Sequence, residues 1–309
     1  MKLFGKRSAS NLAAGVYQDE QVQCAVVIRR EKGRKPALTD ARSATLSSTT
    51  NPSEFSQGLS RLAQAPVTLV LPDQQYQLML VEAPRVEPSE LRAAIRWKVK
   101  NLIDFHIDDA VIDVFEIPGQ QNRPQGQTMM YAVAARAREI RQRIDEVEAA
   151  GANLAVIDLT EMALRNLAQQ LDEDARGVGM LYLDERHGVI TLSRQGSLYL
   201  SRHIETGSQD LVENPDRAFD QIVLEVQRSL DYYDSHFAQP PLATLRILPG
   251  FAAHETLLAT LGDSFNTHVG GYNIEAVVEL DSELTIAGQH TGELLLALGG
   301  ALRYEEISL

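Results

Sequence analysis

The strongest constraint on the fold is an order of elements that occurs twice. The first half reads as strands at "AGVYQ", "VQCAVVIRR" and "KPALTDARS", with a turn at "EKGR". A helix capped near Ser53 and carrying Phe55, Leu59 and Leu62 follows, then the short apolar strand "PVTLVLP". In the second half, residues 179–205 again read as three strands and 216–237 as a long helix. After the break at "AQPPL" come the strand "TLRILPG", a helix at "HETLLATLGDSF" and a strand at "NIEAVVEL". Element order repeats while residues do not, which is what a duplicated α/β domain leaves behind.

A different pattern interrupts the first half. "QYQLMLVEAP" predicts a strand, "SELRAAIRWKVKNLI" a helix, "AVIDVFEIP" and "MMYAVAAR" two strands, and "REIRQRIDEVEAAG" a helix. That is a small α+β module. "AVIDLTEMALRNLAQQL" resumes the first domain, and "DEDARGVG" (172–179) predicts a hinge before the second half.

Charge excludes some function classes. The 309 residues carry 29 basic and 42 acidic side chains, a net charge of −13, whereas nucleic-acid binders present a basic face. The same balance opposes adsorption to an anionic membrane. Cys24, the one cysteine, lies in an apolar run and reads as a small buried hydrophobe. No apolar run reaches the ~18–20 residues of a membrane span, and "MKLFGKRSASNLAAG" lacks the apolar core of a signal peptide. The expectation is a cytoplasmic protein. The seven histidines show no paired zinc spacing. No G-x-S-x-G elbow, P-loop or G-x-G-x-x-G is present, so hydrolase, P-loop and Rossmann readings lack support.

The segments "VLPDQQYQLMLVEAP", "ELRAAIRWKVKNLIDFHIDDAVIDVFEIPG", "YAVAARAREIRQRIDEVEAAGANLAVID", "VLEVQRSLDYY" and "LLLALGGALR" resemble the PilM/MshI family of type IV pilus (MSHA pilus) biogenesis proteins, within the actin-like ATPase superfamily. The resemblance implies an α/β, actin-like (ribonuclease H-like) fold of two domains. Residues 1–75, 153–172 and 290–309 would form the first, 76–152 an inserted α+β subdomain, and 178–285 the second. A last helix near 291–303 would return to the first domain. The resemblance further implies a peripheral protein of the inner-membrane assembly platform, docked on the cytoplasmic tail of a PilN/MshJ-like membrane partner. In the family that tail lies in a groove between the inserted subdomain and the first domain.

The superfamily also implies ATP with Mg²⁺ between the domains, held by two hairpins, and an adenosine turn. Small residues are needed there so that backbone N–H groups can approach phosphate. At the first hairpin Gly15 is followed by Val16, Tyr17 and Gln18, and Asp19 and Glu20 are out of register with the family pattern. The second hairpin lies in "LYLDERHGVITLSRQGSLYLSRHIETG", where Asp184 matches the family acid but Arg186 stands at a glycine position. Gly188 and Thr191 could still face phosphate. The turn "LPGFAA" retains Gly250 but has Phe251 and Ala252 in place of glycines. Glu225 and Arg228, one helical turn apart, correspond to the face near ribose and base. With these loops altered, the expectation is a non-catalytic docking scaffold with no catalytic residue, metal or cofactor. The alternative is a nucleotide-gated regulator that binds MgATP.

For the partner surface, the helix at 89–103 places Leu91, Ile95, Val99 and Leu102 on one stripe and Trp97 nearly opposite, beside Arg96, Lys98 and Lys100. A tryptophan among cations suits an anchor for a peptide or a second domain. The basic stretches "RREKGRK" and "MKLFGKR" read as solvated tips that could touch anionic lipid near a membrane partner. Phe219, Ile222, Val223, Val226, Leu230, Tyr233 and Phe237 recur at helical spacing and predict core.

Overall fold

The computed structural model describes residues 11–46, 62, 65–87, 89–120, 128–237, 239–281, 286 and 290–304. The helix expected after Ser53 lies outside these residues except for Leu62, which is buried. The N-terminal "MKLFGKR" lies outside them as well.

Strands β1 (Leu12–Gln18), β2 (Val22–Arg29), β3 (Ala37–Thr45), β4 (Pro66–Leu71) and β8 (Asn153–Leu159) form one sheet in the order β3-β2-β1-β4-β8. The first three are antiparallel, and β4 and β8 add in parallel. Strands β9 (Val178–Leu183), β10 (Gly188–Arg194), β11 (Ser197–Ile204), β12 (Thr244–Ile247) and β13 (His268–Gly271) repeat the arrangement as β11-β10-β9-β12-β13. Their antiparallel and parallel pairings match those of the first sheet.

The inserted module is a separate sheet of β5 (Tyr76–Glu82), β7 (Met129–Arg136) and β6 (Ala110–Glu116), in that order. Helix α1 (Leu91–Val99) covers one face, packing Ile95 and Val99 on Val81, Met130 and Ala132. Because strand side chains alternate, Tyr131, Val133 and Ala135 point to the other face. There helix α2 (Ala137–Ala149) and the first sheet meet the module through Ile140, Val147 and Tyr76.

Helix α3 (Thr160–Ala168) leads to the second half, where α4 (Asp210–Glu213), α5 (Pro215–Phe237) and α6 (His254–Ser264) follow. Ile222, Val226, Tyr233 and Phe237 of α5 are buried, and Phe219, Val223 and Leu230 pack beside them. The final helix, α7 (Thr291–Leu302), is buried along its whole length, as a helix apolar on every side must be. It lies against β1, β2 and β4 of the first sheet. Its backbone comes so near β1 that a Cβ on Gly15 would sit 1.8 Å from the Ala297 carbonyl oxygen. Gly15 is thus fixed by close packing of strand on helix.

Several elements differ from expectation. The α1 helix stops at Val99, so Leu102 falls beyond it and is exposed. The fifth strand of the second sheet is "HVGG" (268–271), not "NIEAVVEL". Its two glycines mask its strand character, but a Cβ on Gly270 would lie 2.6 Å from Arg246. Within "NIEAVVEL", Ile274–Ala276 is a 3₁₀ turn and only Glu279–Leu280 (β14) is extended. β14 pairs with Ala37 and Leu38 of β3, so the chain has already rejoined the first sheet at residue 279. Cys24 is fully buried, and burial pushes its thiol pKa upward.

Candidate functional site

Two recesses flank the first domain, and α7 runs between them: Gly292 and Glu293 line one, and Arg303, just past the helix end, lines the other.

The larger, about 1430 Å³, lies between the two halves. The β1–β2 tip contributes Asp19, Glu20 and Gln21, the β9–β10 tip contributes Asp184 to His187, and Pro249 to Ala252 form a third wall. The two tips are the same structure. Asp19 Oδ1 accepts the backbone N–H groups of Gln21 and Val22, each at 2.7 Å. Asp184 Oδ1 accepts those of Arg186 and His187, each at 2.6 Å. The Asp19 N–H reaches the Val22 carbonyl (3.0 Å) and the Asp184 N–H the His187 carbonyl (2.9 Å). Asp19 is therefore the counterpart of Asp184, a match that sequence register missed. Its trace in the sequence is "DEQ" at 19–21 against "DER" at 184–186.

Further bonds hold the tips. Gln21 Nε2 donates to Glu185 Oε2 (3.1 Å) across the cleft, and Gln74 Nε2 donates to Asp184 Oδ2 (2.9 Å). The N–H groups of Ser208 and Gln209 donate to the carbonyls of Asp184 and Glu185. Gly207 lets that loop pass, since a Cβ there would stand 2.3 Å from the Arg186 nitrogen. Asp184 titrates above the usual carboxylate range because it is buried, an effect its two turn N–H groups oppose. Glu293 is pushed up to about 7 by burial and by Asp19 and Asp184.

At both tips the local aspartate takes up two backbone N–H groups. The walls bring Asp19, Glu20, Glu139, Asp184, Glu185, Glu255 and Glu293 against only Arg143 and Arg186 as permanent cations. Such walls repel a polyphosphate unless its charge is neutralised.

Of the residues assigned to nucleotide, the structure brings Asp184, Arg186 and Gly250 together in the cleft. It does not place the others there. Thr191 is fully buried in β10, and a Cβ on Gly188 would strike Leu183. Glu225 and Arg228 form an ion pair (2.6 Å) on α5, where Glu225 also lies 3.6 Å from Arg202 of β11. They join helix to sheet outside the cleft lining.

The second recess, about 550 Å³, lies between the inserted module and the first domain and is also bounded by the β10–β11 turn. Val111, Asp113 and Phe115 of β6, Val133 and Ala135 of β7, and Ile140 of α2 line one side. Ile157, Asp158 and Leu159 of β8, with Met162 and Arg165 of α3, line the other. Both β6 and β8 are edge strands of their sheets. An edge strand with an apolar floor is a template for an added strand. Arg303 pairs with buried Asp158 at 2.7 Å, and Arg165 donates to the Gly196 carbonyl at 3.0 Å. Beneath the floor, the Tyr76 hydroxyl donates to Glu161 Oε2 (2.5 Å). Burial pushes Glu161 up to about 7, and the tyrosine bond opposes that rise.

The cationic helix face does not line this groove. Trp97 is 75% exposed, with Lys100 Nζ 5.7 Å from its ring centre, on the far side of the module's sheet. Arg96 donates to the Ile107 carbonyl (2.5 Å) and pairs with Asp108, and Lys98 donates to the Glu82 carbonyl (2.9 Å). Trp97 thus neither packs on the first domain nor faces the groove.

Residues 76–222 match the family of the type IV pilus assembly protein PilM. That stretch, just under half of the chain, is similar to PilM. The fold is similar to the structure described as the PilM-PilN type IV pilus biogenesis complex, with TM-score 0.71 and 20% identity over 94% of this chain and 97% of that one. It is also similar to the cytoplasmic domain of EpsL, an inner-membrane component of the type II secretion system of Vibrio cholerae (TM-score 0.54, 11% identity, 95% and 96% covered). A Bacteroides thetaiotaomicron protein with an actin-like ATPase fold gives TM-score 0.51 at 7% identity, with 93% and 96% covered. The fold is actin-like. No curated protein matches the sequence. Among the described residues, no helix is long and apolar enough to cross a membrane.

Proposed function

We propose that this PilM-like protein is a non-catalytic docking scaffold of the inner-membrane platform that assembles type IV pili. It is held there peripherally by the cytoplasmic tail of a PilN/MshJ-like membrane protein of an MSHA-type system. The observation that carries this reading is the groove between β6 and β8, which offers two strand edges and an apolar floor to an extended peptide. Backbone pairing would supply affinity, and alternate side chains entering the floor would supply selection. The likeness to PilM supports the choice of partner.

Calorimetric titration with the partner's tail peptide tests this reading. Tight binding is expected, reduced at least about tenfold by Phe115→Asp or Met162→Asp and left unchanged by Trp97→Ala. Binding that survives both groove substitutions would overturn the groove as the docking site. MgATP is expected to give neither heat nor a melting shift. A shift that disappears in Asp184→Ala would instead establish the nucleotide-gated reading.

A further inference from the structure

Beside the cleft, two histidines that are far apart in sequence come together. The β10–β11 ladder pairs Val189 with His203 and Gly188 with Ile204, which brings His187 to the end of the ladder next to His203 and Glu205. The two imidazole ring centres are 5.0 Å apart. One ligand atom from each of His187, His203 and Glu205 lies within 4.8 Å of the others. His203 Nε2 is 3.6 Å from Glu205 Oε1. Two ligands on a tetrahedral ion with bonds of ~2.0–2.1 Å stand about 3.4 Å apart, so this pair needs almost no movement to share one. The other ring nitrogen of His203, Nδ1, is 3.1 Å from Asp73 Oδ2, whose side chain is only 12% exposed. A carboxylate behind an imidazole fixes its tautomer and turns the second nitrogen outward, the support that metal-binding histidines regularly have.

We propose that His187, His203 and Glu205 form a site for a divalent transition-metal ion of the zinc class, with Asp73 of the first domain orienting His203. Two imidazoles and one carboxylate suit zinc, copper or nickel and disfavour calcium and magnesium, which prefer all-oxygen shells. A fourth position stays open to water, consistent with the exposure of His203 and Glu205. The acidic cleft alongside, with Asp184 and Glu185, raises the local concentration of cations. Asp73 follows β4 while His203 lies on β11, with His187 just before β10 and Glu205 just after β11, so an ion on His203 would strengthen a contact that spans the two halves.

The test uses the full chain, free of any affinity tag, titrated with cobalt(II) as a spectroscopic stand-in and then with zinc. One equivalent of cobalt is expected to give the visible absorption of a four-coordinate site, which zinc then abolishes. His187→Gln and His203→Gln should each remove the signal. Glu205→Gln, at an exposed residue that folding does not need, should weaken binding at least about tenfold. Asp73→Asn should weaken it about 10- to 100-fold, the usual effect of losing a carboxylate that orients a ligand histidine. Zinc should raise the melting temperature of the wild type and leave that of His203→Gln unchanged. Absence of the cobalt signal, or a signal that survives in folded His187→Gln and His203→Gln, would overturn the site. Unchanged affinity in Asp73→Asn would overturn the role of Asp73.

Discussion

The acids of the groove and those of the cleft are held in different ways. Around the groove, Asp158 meets Arg303 and Glu161 meets the Tyr76 hydroxyl, partners brought from distant parts of the chain. At the cleft, Asp19 and Asp184 are held first by N–H groups two and three residues along. Asp158 and Glu161 therefore join separate elements, while Asp19 and Asp184 mainly shape their own turns. This difference teaches where each recess can change. A hairpin tip that satisfies itself keeps its shape after losing a ligand, whereas the groove wall depends on the whole assembly.

The sharpest way to break that comparison is Asp158→Ala. It removes the carboxylate from Arg303 in a largely buried setting and is expected to cost about 3–5 kcal/mol in urea unfolding. A cost below about 1 kcal/mol would show that the pair joins nothing. Next comes Glu161→Gln, whose effect depends on pH. The folded protein keeps this proton up to about 7, against 4.5 for a free glutamate. Between those values the folded state binds more protons than the unfolded chain, so stability falls as pH rises through the window. The glutamine variant should lose that slope, with no difference from wild type below about pH 4.5 and a gain of about 3 kcal/mol above about pH 7. Parallel stability curves for the two proteins would refute the assignment.

Smaller effects sharpen the comparison at the tips. Asp19→Ala and Asp184→Ala should each cost about 1–2 kcal/mol, the worth of a capping carboxylate with two charge-assisted bonds. The Asp184 variant should cost the more, since it loses the 2.9 Å bond from Gln74 where the Asp19 variant loses only a 3.4 Å bond from the Tyr17 hydroxyl. Equal values would mean that the contact between the halves adds nothing. The smallest effect belongs to Trp97→Ala, within about 0.5 kcal/mol in unfolding, as for an exposed side chain without packing.

Much of the fold was legible in the sequence because it rests on local periodicity. The three strands of each half and α5 follow from alternation or from helical spacing, whereas α7 was expected from the family resemblance. "HVGG" was not legible, since its glycines are fixed by Arg246 and His254 from other elements. The site was legible in part. Asp184, Arg186 and Gly250 sit on the predicted loops, but Asp19 needed the structural superposition of the two tips. The approach of His187 to His203 depends on the register of one hairpin. Trp97 was misplaced because helical spacing fixes which side of α1 it occupies, and not which face of the underlying sheet α1 covers.

Helix α7 carries Glu293 into the acidic cleft near its start and ends one residue before Arg303 in the groove, the two side chains standing ten residues or about 15 Å apart along the axis. Gly15 and Gly299 hold it backbone against backbone, like a rod wedged between β1 and α3. Two ligands that each displace such a rod are thermodynamically linked. Whatever factor a ligand in the cleft imposed on the affinity of a peptide in the groove, that peptide would impose on the cleft ligand in return.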